Sequence, residues 1–370
     1  MRKNLIAFIT SLCSLFLFSG CWDLRLVDRT GFALQAGIEL SPEHKLLLTS
    51  SYPAIGAKEK NRDEIVSAEG YLMREARNKH LTTSSKLISY GKVQQFLFSK
   101  DLAMLGIQPL MEILERGPLN PPVSSVVIVD GSPKELLEKA ETFTDKPRSS
   151  LYINQLLVNN INSTHTPDTC TYDFLIRYFA PGFDPITPLI KLEADGIRVL
   201  GSALFAGDKM VGAIDPQQTT LLLAMMGQFK KANLFFDPIA PEMTESGKKG
   251  LALTNVKSRR KIRVNAENKH PVADITLALT GSLIEYRRDA FDQPSVQKKI
   301  EEQLAGQIKQ ACLEIIHYTQ ELGSDPLGIG NLVRAKYPAY WQQVDWSTAY
   351  REMNINLSIK LEILQFGAIH

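Results

Sequence analysis

The sequence predicts a multi-domain α+β protein, with mixed and antiparallel sheets, packed helices and a C-terminal sheet crossed by a long helix. Three observations carry that expectation. Period-two alternation of apolar and polar residues marks both ends of the chain, at Phe32 to Leu40 and at Met353 to Ile363. Strand-like and helix-like stretches interleave between them. At roughly 100 to 200 residues per domain, the 370 residues allow two or three separate cores.

Taken in order, Phe32, Leu34, Ala36, Ile38 and Leu40 alternate, Ser41-Pro42-Glu43 supplies a turn, and Leu46 and Leu48 resume the pattern. This is a β-hairpin signal with one buried face. Helices are expected around Tyr71 to Lys79 and from Gly106 to Arg116, the second stopped by Gly117-Pro118. Val123 to Val129 is a short, continuously apolar strand. Ser132-Pro133-Lys134-Glu135 then provides an N-cap, a proline at the first helical position and a capping-box acid for a helix through Ala140. Helical stretches at Leu151 to Ile161 and Tyr172 to Tyr178 lead into Pro181-Gly182-Phe183-Asp184-Pro185, a break where a domain transition is expected.

Beyond the break, Ile186 to Ala194 and Ile197 to Phe205 read as strands joined at Asp195-Gly196. Asp215-Pro216-Gln217-Gln218 caps a helix running to Gly227, apolar nearly all round from Leu221 to Met226. Such a helix is buried on several sides, by its own domain or by a partner, which makes Leu222 and Met225 candidate membrane or partner contact residues. After a polar loop near Glu245 to Gly250 come strands at Val256 to Ala266 and Val272 to Ile284, the second with one face toward solvent. Pro294 to Leu322 forms the clearest helix, with Val296, Ile300, Leu304, Ile308, Cys312, Ile315 and Leu322 along one stripe and Gly323 at its end. It should pack across the sheet that the final alternating strand completes.

The start of the chain reads as a targeting segment. Basic Arg2-Lys3 precedes the apolar run Leu5 to Phe18 and the small residues Ser19-Gly20, followed by Cys21. The run is shorter than the roughly 20 apolar residues a bilayer-spanning helix needs, and no later stretch reaches that length. A cysteine directly after two small residues resembles the bacterial lipobox, with Phe18 where leucine is usual, and marks Cys21 for lipidation; a plain export signal is the alternative. Two acyl chains there would make a stable anchor in the lipid bilayer. Of 42 basic against 40 acidic residues, the surplus is Arg2 and Lys3, so the mature chain is neutral and has no global electrostatic reason to bind nucleic acid.

Motifs for chemistry are missing from the sequence: it has no GxSxG, HExxH, Walker loop, GxGxxG or CxxC. The six histidines lack ligand spacing, so no metal and no cofactor is assigned. With Cys13 leaving in the signal and Cys21 consumed, Cys170 and Cys312 remain; two buried free thiols are expected, with a bridge closing a very long loop as the alternative. Ser258-Arg259-Arg260-Lys261 matches an SxxK string, but in a strand instead of at a helix start. Gly328-Ile329-Gly330 reads as a capped turn.

From Ser246 to Ala266 there are seven basic residues and no acid. Lys257, Arg259, Lys261 and Arg263 share one strand face, while Arg260 shares the other with Ile262 and Val264. This patch is either a solvated strand face or a contact for anionic headgroups or an acidic partner. Arg260 should act through packing or a buried partner instead of through lipid.

Several separated stretches resemble the Ger(x)C family, the lipoprotein C subunits of spore nutrient germinant receptors. They are Cys21-Trp22-Asp23, Gly201-Ser202-Ala203-Leu204-Phe205 with Asp208-Lys209-Met210-Val211-Gly212, Asp325-Pro326-Leu327-Gly328-Ile329-Gly330, Lys336-Tyr337-Pro338, Trp341, Trp346 and the final strand ending at Gly367. The resemblance implies a signal peptide over 1–20, an N-terminal germination-protein region over 21–195 and a C-terminal one over 196–370, with three structural domains in all. It further implies a non-enzymatic, lipid-anchored subunit on the outer face of the spore inner membrane, partnered by two integral-membrane subunits of the A and B types. The alternative is a lipid-anchored extracytoplasmic solute-binding protein, whose doubly wound parallel domains the alternating, one-face-wet strands argue against. An exported cell-wall enzyme is a third reading, which would need a serine site or paired acids in a pocket.

Overall fold

The computed structural model describes residues 29–54, 62–117, 120–236, 251–267, 271–285 and 294–366. The signal segment, Cys21, Lys248, Lys249 and the loop expected near Glu245 to Gly250 lie outside them.

The N-terminal part contains β1 (Thr30–Phe32), β2 (Gln35–Leu40), β3 (Leu46–Pro53), β4 (Asp63–Gly70), α1 (Met73–Thr83), β5 (Leu87–Ser89), β6 (Gln95–Ser99), α2 (Lys100–Leu105) and α3 (Gln108–Arg116). These are followed by β7 (Ser125–Val129), α4 (Pro133–Ala140), α5 (Ser149–Asn162), α6 (Thr171–Phe179), β8 (Ile186–Leu192), β9 (Ile197–Ala206) and β10 (Lys209–Ile214). Next come α7 (Pro216–Met226), β11 (Ala232–Phe236), β12 (Leu251–Asn265), β13 (Val272–Glu285), α8 (Pro294–Leu322), α9 (Ile329–Lys336), α10 (Pro338–Trp341), α11 (Trp346–Glu352) and β14 (Asn354–Phe366). The class is α+β, as the sequence predicts.

Eight strands form one mixed sheet in the order β10-β9-β8-β7-β6-β2-β3-β4, with β2, β6, β7 and β8 parallel to one another. Helices cover both of its faces. On one side Ile38, Phe96, Phe98 and Ile128 meet Met111 of α3 and Phe174 of α6. On the other, Leu97, Val127 and Val129 meet Leu136 and Leu137 of α4 and Ile153 of α5. Burial from both sides explains the continuous apolar runs of β6 and β7.

This arrangement corrects the expectation of a first hairpin with one wet face. The antiparallel β2-β3 hairpin is present, but β2 lies inside the sheet between β3 and β6. Its polar residues Gln35 and Glu39 are buried beneath α4 and α5. Gln35 donates to Gln95 at 3.1 Å, and Glu39 accepts from the Ser132 hydroxyl at 3.0 Å. Alternation of residue type therefore marked hydrogen-bonded interior positions, not solvent. Asp195 and Gly196, between the two sequence regions, lie in the loop joining β8 to β9, antiparallel neighbours in this same sheet.

The C-terminal sheet runs β11-β12-β13-β14, with β13 and β14 parallel and connected through the 29-residue α8. Ile300, Leu304, Ile308, Cys312 and Ile315 of α8 bury against the face carrying Ile275, Leu277, Leu279 and Leu357. The opposite face exposes Asn354, Asn356, Ser358, Lys360 and Glu362 of β14. The stripe, the end at Gly323 and the packing of the long helix all follow the sequence expectation.

The two parts are joined by a pair of hydrogen-bonded carboxylates, Asp325 buried and Asp184 half-buried. Asp184, from the Pro-rich break, accepts from the amides of Asp325 and Gly207 at 2.7 Å each, and its own amide donates to the Asp325 carbonyl. Asp325 is 1% exposed and accepts from the amides of Ile329 (3.1 Å) and Gly330 (2.7 Å) and from the Trp346 indole (3.1 Å). Burial pushes the Asp325 carboxyl up to about 7, against the pull of these donors. The Gly328-Ile329-Gly330 turn is thus the entry of α9, held by a side chain three residues upstream. Gly182, at φ +71°, lies so close that a Cβ on it would come within 2.6 Å of the Gly330 Cα.

Gly330→Ala should disrupt this joint, because its methyl group would run into the Trp346 ring and the Gly182 Cα. We expect a loss of about 1–3 kcal/mol in urea unfolding, the usual cost of overpacking. An unchanged midpoint would show that the two loops separate without cost.

Candidate functional site

The SxxK string fails on strand geometry. Ser258 and Lys261 are three residues apart on β12, so their side chains leave opposite faces of the sheet. The Ser258 hydroxyl points toward the Ala224 carbonyl on the helix-covered side, while Lys261 is exposed on the other. They cannot act on one substrate as nucleophile and base. Among the described residues, no group of His, Cys, Asp and Glu is placed to hold a metal.

One buried histidine and two thiols are the next candidates for chemistry. His80 is fully buried, with Nδ1 3.0 Å from the Tyr90 hydroxyl and Nε2 3.1 Å from the Leu48 carbonyl. A carbonyl can only accept, so Nε2 carries the proton and Nδ1 accepts from Tyr90. Burial holds its pKa below the usual histidine value. Cys170 and Cys312 are both free thiols. Cys312 is buried as expected and pushed up to about 12 by that burial. Cys170 is only half-buried, because it precedes α6 at the surface, where its thiol donates to Asp173.

The basic strand resolves into two faces, as its alternation predicts. Lys257, Arg259, Lys261 and Arg263 are exposed on the solvent side, opposite Thr280, Ala278, Thr276 and Asp274 of β13. Register carries the row on to Glu362, Lys360, Ser358 and Asn356 of β14. The four β12 cations make no ion pair with another described residue. The result is a flat surface on which cations outnumber carboxylates, on a chain that is otherwise nearly neutral. Arg260 leaves from the other side, opposite Leu277, with its stem against Gly227 at the end of α7.

The apolar helix α7 has a different outcome. A capping box formed by Asp215 and Gln218 starts it, and Gly227 in the left-handed conformation ends it. Leu222 is 1% and Met225 0% exposed, inside the core shared with β12, β13 and α8. Of the two alternatives for this helix, the structure shows burial within its own chain. A helix apolar all round is explained by layers on every side: β9 beneath it, α8 beside it, and β12 and β13 beyond.

The joint at Asp184 and Asp325 was missed as a unit by sequence reasoning. Its signal was present in the two Pro- and Gly-containing strings, 181–185 and 325–330, but nothing in their spacing shows that they meet. The Trp341 and Trp346 rings, 5.5 Å apart, and Tyr350, 6.1 Å from Trp346, enclose the same place. A wide apolar groove of about 450 Å³ opens elsewhere, between α3 and α6, lined by Phe96, Leu114, Pro121, Leu175 and Phe179.

Comparison with known proteins covers both parts of the chain. Residues 23–192 match the model of the spore germination protein N-terminal domain, and residues 200–367 match that of the spore germination B3/GerAC-like C-terminal domain. The spore germination protein GerQC of Bacillus cereus is 24% identical over 368 residues, 99% of each chain. Spore germination protein B3 of Bacillus subtilis strain 168 is 20% identical over 96% of each. In three dimensions the chain resembles the crystal structure of the GerBC protein, with a TM-score of 0.54 and 17% identity over 89% of this chain and 96% of that one.

Leu222→Asp and Met225→Asp should each lower unfolding stability by several kcal/mol, roughly 3 to 5, since each buries an unpaired carboxylate. Chemical denaturation followed by circular dichroism measures this. A preserved midpoint would return α7 to the role of a contact helix.

Proposed function

The chain belongs to the spore germination GerAC family, and we propose that it is a non-enzymatic, lipid-anchored subunit of a spore nutrient germinant receptor. The observation that carries this reading is the end-to-end match of both family regions in one chain, immediately behind a lipobox-like Cys21. The anchor is the diacylglyceryl-modified thiol of Cys21, which holds the folded body on the outer face of the spore inner membrane. No described helix is long and apolar enough to cross a membrane. Two integral-membrane subunits, of the A and B types, are the partners in this reading, and the chain serves in assembly or signal relay. Deletion of the gene, with germination scored nutrient by nutrient, separates a receptor subunit from a transporter component. A receptor subunit loses one nutrient response while growth and uptake stay normal.

The exposed row Lys257, Arg259, Lys261 and Arg263 supports a second element of the proposal, that this face turns toward anionic headgroups. Each cation near such a surface contributes about 1 kcal/mol, screened within a Debye length of about 8 Å at physiological salt.

Two measurements address these points. Cys21→Ala should abolish incorporation of labelled palmitate while leaving the circular dichroism spectrum of the body unchanged; equal labelling of the variant would end the lipoprotein assignment. Changing Lys257, Arg259, Lys261 and Arg263 together to Gln should weaken binding of the unlipidated protein to anionic vesicles and flatten its salt dependence. Wild-type protein indifferent to such vesicles at low salt would leave this row a solvated strand face.

A further inference from the structure

A small cavity of about 240 Å³ lies where α6 and the Pro-rich break meet β12 and the segment after Asp325. Two arginines line it. Arg177, on α6, is 7% exposed, and its guanidinium lies 4.3 Å from the centre of the Phe183 ring. The guanidinium makes no hydrogen bond to another described residue, and its Nη1 is buried without a partner. Arg260 stands at the mouth, exposed over more than a third of its surface, and its side chain too makes no hydrogen bond or ion pair with another described residue. Its Nε is packed so near Gly227 that a Cβ there would lie 2.6 Å away. Asp173 supplies a carboxylate to the rim and accepts from the Cys170 thiol at 3.2 Å. Gln228 is the remaining polar side chain, and Ile176, Met226 and Leu327 are apolar walls.

An arginine cannot shed its charge, so burying one with only the exposed Asp173 carboxylate as counter-charge is costly, and a second arginine lining the same cavity adds repulsion. Burial lowers the Arg177 pKa to about 10, with Asp173 opposing that shift only in part. An oxyanion seated between the two forks would accept from both and fill the vacant donor positions. Structural arginines normally show a carboxylate or carbonyl partner. Here the Phe183 ring packs against the Arg177 guanidinium while its donors remain unused, as in a preorganised binding site.

We propose that this cavity is a binding site for a small oxyanion, a carboxylate or phosphate group, held between Arg177 and Arg260. The apolar walls take a short substituent on that group. The occupant would bridge α6 of the N-terminal part to β12 of the C-terminal part, beside the Asp184 and Asp325 joint. The site does not depend on the lipid anchor or on the exposed cations of the opposite sheet face.

The test is calorimetric titration of the purified full chain with sodium phosphate and, separately, sodium acetate, at constant ionic strength in chloride. Saturable one-to-one binding is expected for at least one anion, together with a thermal midpoint that rises with its concentration. Phosphate alone would assign a phosphoryl ligand, acetate alone a carboxylate, and both a general oxyanion site. Arg260→Gln, at the exposed mouth, should weaken binding by about tenfold or more without unfolding the chain. Arg177→Lys keeps the charge but loses the fork and should weaken it similarly. Lys261→Gln, on the opposite face of the sheet, should bind as wild type does. The assignment falls if neither anion binds saturably, or if Arg260→Gln and Arg177→Lys both bind as tightly as the wild-type chain.

Discussion

A carboxylate that is 1% exposed and surrounded by backbone donors holds the two halves of this molecule in one relation. Asp325 begins α9 by accepting from Ile329 and Gly330, ties in α11 through the Trp346 indole, and reaches the Pro-rich break through Asp184. Each of these bonds satisfies a backbone or indole N–H that would otherwise be buried alone. Removing one partner would leave several groups unsatisfied at once, so the joint behaves as a unit. Strand β9 is drawn in as well, since Ser324 donates to the Phe205 carbonyl at 2.6 Å. Beside the joint, Ile186, Leu204 and Ile214 of the eight-stranded sheet share one apolar core with α7, α8 and the final strand, so the joint and the core set their relative positions together.

Around the joint, the two sheets manage their faces differently, and that difference sets where function can lie. The eight-stranded sheet has helices on both sides, and interior polar residues such as Gln35 and Glu39 hydrogen-bond within it. Among the described residues, the four-stranded sheet has helices, α7 and α8, on one side only. Its free side therefore presents whatever residues the strands place there, and β12 places four cations. Such segregation of charge on a chain with almost no net charge is a local field, not a global one. It suits a surface that meets something anionic over a limited area.

Much of the fold was legible because local rules and tertiary demands agreed. The cap and proline at Ser132-Pro133 start α4, with the Ser132 hydroxyl accepting from the Glu135 amide. Asp215 and Gln218 form the capping box of α7, and the stripe of α8 is buried as its spacing predicts. The first hairpin shows where agreement ended. Gln35 and Glu39 obeyed the pattern of a wet face, but a parallel neighbour and two helices covered them. For α7, local sequence left two sources of burial open, and only the packing of β9, β12, β13 and α8 around Leu222 and Met225 decided between them. The oxyanion cavity was half legible: alternation separated Arg260 from its basic neighbours, but Arg177 looked like any other helical arginine.

By itself the sequence determined the class, the α+β alternation, most element positions and the division of β12 into two faces, because caps, turns and periodicity act over a few residues. Tertiary structure alone decided which strands became neighbours, which polar residues were enclosed, and which distant groups met. Asp184 and Asp325 are 141 residues apart and share one hydrogen-bonded knot. Contacts of that kind depend on how layers close over one another, and neither local propensity nor hydrophobic period carries information about the partner that will arrive from the other side.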